Sequence, residues 1–180
     1  AELLVIAEKG TPINPDPYAA STYQPDDVLF PAMALIQQNR RWSAKQLLRV
    51  LAKQGNADAL FWMGVLTYRS SPFSGGEGAE YFQQAAGLGN PYAALMLDKD
   101  SWECKKRMAP YCDAKWGKLG RKILRERAAQ GDAKAGYALY LSMEYEKPGV
   151  GYLFNRDDYI AEGQGPFQVL LKAAKDGIKQ

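Results

Sequence analysis

Apolar side chains at Ala44, Leu47, Leu48, Leu51 and Ala52 follow the i, i+3, i+4, i+7, i+8 spacing of one helix face, and Ser43 stands just before them as an N-cap. Phe167, Leu170, Leu171 and Ala174 repeat that spacing near the end of the chain, after Pro166, where a helix start tolerates proline. No segment sustains the period-two alternation of a strand. The pattern predicts an all-α chain, with a further short helix over residues 28–38 that caps the first helical pair.

The punctuation between helices recurs. With Gly55, Gly89 and Gly131 as origin, position −3 is Ala52, Ala86 and Ala128, and position +4 is Ala59, Ala93 and Ala135. Position +1 is Asn56, Asn90 and Asp132, and position +6 is Phe61, Leu95 and Tyr137. A fourth copy starts with Ala174 and Gly177. Each feature has a physical reason. Glycine ends a helix in the left-handed conformation without a Cβ penalty, and Asn or Asp after it caps the next helix. Alanine on either side of the turn lets two antiparallel helices approach, and the large +6 residue fills the space one turn on. The unit is a helical hairpin, and the origins lie 34, 42 and 46 residues apart, near the range of helical-pair repeats.

This frame resembles the Sel1-like repeats, relatives of the tetratricopeptide repeats, whose signature runs A-A-x-x-G-[HND]-A-x-A-x-x-x-L-G. The first copy matches with Gly64 at the final glycine and Met63 in place of leucine. The second has Pro91 at an alanine position and Asp98 at the final glycine, and the third keeps Ala133, Ala135 and Leu139 but has Tyr140 at that glycine. The resemblance implies a right-handed solenoid of antiparallel helical pairs over residues 43–180, preceded by an N-terminal arm and capping helix over residues 1–42. The stretch 70–78, SSPFSGGEG, falls where such families place a glycine-rich loop. The resemblance also implies a non-catalytic protein-binding module: an envelope or secretion adaptor, or an immunity protein that blocks a secreted toxin.

Composition narrows the chemistry. There is no histidine among 180 residues, which removes Ser-His-Asp and Cys-His nucleophilic sites and imidazole metal ligands. Two cysteines are too few for a thiolate-only zinc site. No cofactor or metal is expected. The longest apolar run, 28–36, is nine residues and contains Pro31, far short of the ~20 that span a bilayer.

The net charge of +3 is uneven: residues 99–127 carry ten basic and four acidic side chains, leaving the rest at −3. The N-terminal segment 1–27 is the opposite, with one lysine, five acids and four prolines around the apolar run 3–7. It reads as an arm packed on the helices, a partner-binding strap or a linker. Cys104 and Cys112 sit in an insertion between the second and third copies. On a continuous helix, eight residues would put their Cα atoms ~12 Å apart, against the roughly 4.4–6.8 Å of a disulfide. A bond therefore requires the helix to break, and Pro110 is placed to break it. Two free thiols in a cytoplasmic protein are the alternative. Secreted Sel1-like proteins bridge cysteines eight apart, so the resemblance implies a disulfide and a periplasmic or secreted location.

Partner-contact candidates are aromatic and basic side chains outside the alanine frame: Arg40, Arg41 and Trp42 before the first pair, Tyr68 and Arg69 at its end, and Trp102, Lys105, Lys106, Arg107 and Trp116 in the insertion. Another protein is the expected partner, not nucleic acid. Two other classes remain in view. Asp157, Asp158 and Glu162 could serve a carboxylate hydrolase if held ~5–10 Å apart, and residues 99–127 could meet nucleic acid or an anionic surface.

Overall fold

In a computed structural model, the structure describes residues 23 and 25–143. The apolar run 3–7, the helix expected over 167–174, the fourth copy and the acids Asp157, Asp158 and Glu162 lie outside the described residues. Those residues form eight α-helices and one 3-10 turn, with no strand among them. In order they are α1 (Phe30–Gln37), α2 (Arg41–Lys53), α3 (Ala57–Tyr68), α4 (Gly75–Gly87), α5 (Pro91–Met96), α6 (Trp102–Arg107), the 3-10 turn (Ala109–Tyr111), α7 (Ala114–Ala129) and α8 (Ala133–Met143). The chain divides into a unit of residues 14–120 and a second of residues 1–13 and 121–180.

The three glycine turns share one hydrogen-bond pattern. Gly55, Gly89 and Gly131 have φ of +82°, +85° and +96°. The Asn56, Asn90 and Asp132 amides donate to the Leu51, Ala85 and Arg127 carbonyls at 3.0–3.1 Å, and the three glycine amides donate to Ala52, Ala86 and Ala128 at 3.0 Å. These are the two bonds of a Schellman ending. The same Asn and Asp side chains then accept from the Ala59, Ala93 and Ala135 amides at 2.8–2.9 Å, each cap contributing about 1 kcal/mol. A fourth turn of this kind, unnoticed in the sequence frame, joins α1 to α2. There Asn39 takes φ +59°, and Arg40 donates its amide to Leu35.

Five of the six frame alanines are buried as the hairpin requires: Ala59, Ala93 and Ala135 are wholly enclosed, Ala86 and Ala128 nearly so, and Ala52 is half-buried. The large +6 position is uneven. The Phe61 ring lies 6.0 Å from Phe82 and 6.1 Å from Tyr92, whereas Tyr137 is exposed. On α2, Ala44 and Leu48 are buried, but Leu47, expected on the same face, is exposed.

In the unit of residues 14–120, helices pack on their neighbours in the chain: α1 on α2, α2 on α3, α3 on α4, α4 on α5. One apolar cluster joins Leu29, Ala32 and Met33 to Ala44, Leu48, Met63 and Leu66, so α1 packs on the first pair. A second joins Phe82, Ala85, Ala93 and Leu97 to Cys104 and Met108. The expected loop over 70–78 is shorter than predicted, since helix begins at Gly75. Two of its glycines, Gly75 and Gly78, serve close approach, as does Gly64 on α3. A Cβ on Gly64 would meet the Phe82 ring at 2.6 Å, one on Gly78 would meet the Tyr68 backbone at 3.2 Å, and one on Gly75 would overlap the Arg107 carbonyl oxygen.

Tyr23 is buried in the first cluster, and its hydroxyl accepts from the Trp62 Nε1–H at 2.9 Å. Burial pushes its pKa from 10.0 to about 12. Below pH 10 the phenol is protonated in both folded and unfolded chains; between pH 10 and 12 the unfolded chain releases its proton first, so stability falls. The stability difference between the wild type and Tyr23→Phe is expected to shrink across that window, read by urea unfolding at each pH. A constant difference would rule out this coupling.

Candidate protein-binding surface

A groove of about 310 Å³ lies among α2, α3 and α4. Ala52, Leu60 and Met63 contribute its apolar lining, Arg49 and Lys53 edge it from α2, and Tyr81 and Gln84 from α4. Helix periodicity explains the placement. Residues 49, 52 and 53 flank the buried stripe of Ala44 and Leu48, and 81 and 84 sit one turn apart on α4. The polar lining is donor-rich and nearly unused: Arg49 Nη1 donates to Gln46 at 3.0 Å, and among the described residues Lys53 and the Tyr81 hydroxyl have no hydrogen-bond partner.

The α2 edge continues a row that the sequence reading passed over. Arg41, Lys45, Arg49 and Lys53 recur every fourth residue, and α2 contains no acid. Like charges at i, i+4 disfavour a helix by about 0.2–0.5 kcal/mol per pair, and Arg40 and Arg41 face the positive end of the helix dipole. None of these five cations has a carboxylate partner among the described residues.

The first part of the segment the sequence singled out for charge, residues 99–115, is different. Lys99 and Lys105 lie 2.7 Å and 3.6 Å from Asp100, and the hydrogen bond from Lys99 holds that carboxyl below its ordinary pKa. Lys106 sits 4.2 Å above the Trp102 ring, and Lys115 is 3.6 Å from Asp113. The Arg107 guanidinium lies 3.7 Å over the Tyr68 ring and donates to the Ser71 carbonyl at 3.1 Å. Every cation from Lys99 to Lys115 therefore has a partner within the chain.

The insertion is built into the core. Cys104 and Met108, four residues apart, are fully buried, while Trp102, Lys105 and Lys106 turn outward. The helix stops at Arg107, a 3-10 turn containing Pro110 follows, and Cys104 and Cys112 are disulfide-bonded with Cα atoms 5.8 Å apart.

The candidate contacts thus separate. Arg40, Arg41, Trp42, Arg69, Trp102, Lys105 and Lys106 are exposed. Tyr68 is buried, its hydroxyl donating to the Glu103 carbonyl at 3.2 Å, so it is a core residue and not a surface anchor. Arg107 is occupied by Tyr68 and Ser71, and Trp116 packs half-buried on the second cluster. The reading missed Arg49, Lys53 and Tyr81. The four-residue spacing of cations without acids on α2 was the available signal. It also missed Phe73, which is almost wholly exposed. Comparison with family models, curated proteins and solved structures finds no match.

No helix among the described residues is long and apolar enough to cross a membrane, and none of them form a cluster of three or more metal-ligating side chains.

Proposed function

We propose that the chain is a non-catalytic protein-binding module whose helical hairpins stack as in Sel1-like solenoids and whose partner is another protein. The observation that carries this reading is the groove among α2, α3 and α4: an apolar lining edged by donors without a carboxylate partner among the described residues, the combination that orients and holds a protein segment. The disulfide supports an oxidising compartment, with the periplasm as the proposed one. An immunity protein that occludes a secreted toxin fits both proposals, and an envelope adaptor is the second reading.

Site-specific photo-crosslinking tests it. A crosslinking residue placed singly at Val50, Gln84 and Leu88, all exposed on α2 and α4 or just beyond it, is expected to capture one protein partner in source cells. The same residue at Lys118, on α7, should capture it weakly or not at all. A folded chain that crosslinks to no protein from any position overturns the proposal.

A further inference from the structure

Two basic stretches of this chain differ in how their cations are answered. From Lys99 to Lys115 the cations are answered internally, by Asp100, Asp113 and aromatic rings. Along α2, Arg41, Lys45, Arg49 and Lys53 repeat at one-turn intervals without an acid in the helix, and the last two edge the groove. Such a row works against the helix that carries it, so its charge is answered from outside the helix or not at all. Among the described residues no acidic side chain lines the groove; Tyr81 and Gln84 add donors on the other edge, and Ala52, Leu60 and Met63 add apolar surface.

We propose that this groove receives an extended acidic segment of the partner protein, its carboxylates paired with Arg49 and Lys53 and an adjoining apolar side chain set against Leu60 and Met63. The inference rests on the protein-binding reading above and names the chemistry of what is bound. The spacing suits it. Side chains two residues apart on an extended chain lie on one face about 6.6–6.8 Å apart, close to the 5–6 Å between helix neighbours four residues apart. An arginine takes a carboxylate in bidentate fashion, which fixes the register of the segment. The apolar lining argues for peptide over nucleic acid, because a phosphate backbone tracks a basic groove with bases stacked on aromatic rings, and among the described residues only Tyr81 is aromatic here.

The probe is a fluorescein-labelled decapeptide alternating aspartate and leucine, compared with its asparagine and lysine counterparts by fluorescence anisotropy on the full oxidised chain. The acidic peptide is expected to bind at least about tenfold more tightly than the asparagine form and to weaken as salt rises. The double variant Arg49→Glu/Lys53→Glu is expected to bind the two alike, while Lys105→Glu keeps the preference. Both substitutions lie at exposed positions, and a thermal melt matching the wild type certifies the fold. Equal binding of the acidic and asparagine peptides, or an unchanged preference in the double variant, overturns the inference. So does a single-stranded oligonucleotide that binds through Arg49 and Lys53 when the acidic peptide does not. If a protein still crosslinks from α2 and α4 in those cases, the protein-binding reading stands and only the acidic segment fails; if nothing crosslinks, both fail.

Discussion

Gly75→Ala is expected to destabilise the chain by about 3 kcal/mol, at the upper end of overpacking effects. The added methyl would fall on the Arg107 carbonyl oxygen and within 2.8 Å of its carbonyl carbon. Backbone lies on both sides of the clash, so no rotamer change relieves it. The neighbouring residue is the control. A Cβ on Gly76 would meet the Tyr111 side chain at ordinary distances of 3.5 Å and 3.7 Å, and alanine is the better helix former by about 0.5–1 kcal/mol. Gly76→Ala should therefore be neutral or slightly stabilising. Urea unfolding midpoints of the two variants should move in opposite directions, or one should move alone. A Gly75→Ala midpoint equal to that of Gly76→Ala would show that α4 does not sit this close to Arg107.

That contact marks the limit of what the sequence discloses. The hairpin turns were legible because they are local: a glycine needing positive φ, a capping Asn or Asp and flanking alanines all lie within eight residues, and the φ values and cap bonds follow them. Gly75 and Gly78 were misread as loop residues because their reason is tertiary. They let α4 meet Arg107 and Tyr68, which stand distant in sequence from Gly75 and ten residues before Gly78. Asn39 escaped the frame because it replaces glycine, and Arg40 after it supplies no side-chain cap.

The binding surface was less legible for a similar reason. An aromatic or arginine outside the repeat frame looks free, yet Tyr68 is buried and Arg107 covers its ring. Local charge counting favoured residues 99–127 because it sums signs without asking which cations have partners, and from Lys99 to Lys115 each of them has one. The α2 row was visible in sequence, but its meaning depends on the groove beside it, formed by residues up to 35 positions apart, from Arg49 to Gln84.

Removing the Cys104–Cys112 disulfide, by reduction or by the double change to alanine, is expected to cost about 2–3 kcal/mol from the closed eight-residue separation alone. The consequence should be concentrated around α6. This helix has six residues, too few to persist without tertiary support. Its attachments include the disulfide, burial of Cys104 and Met108 in the second cluster, Arg107 on Tyr68 and Ser71, and the Tyr68 hydroxyl on the Glu103 carbonyl. With the disulfide open, residues 105–111 lose their covalent closure, and Lys105, Lys106 and Arg107 become trypsin sites in a segment that opens more often. Limited trypsinolysis should cut the reduced chain first after these residues, while the oxidised chain resists there. The α2–α3 hairpin, whose cluster contains neither cysteine, should keep its protection in both. Identical unfolding midpoints and cleavage maps for the oxidised and reduced chains would mean that the buried contacts hold α6 unaided and that the disulfide adds nothing to this fold.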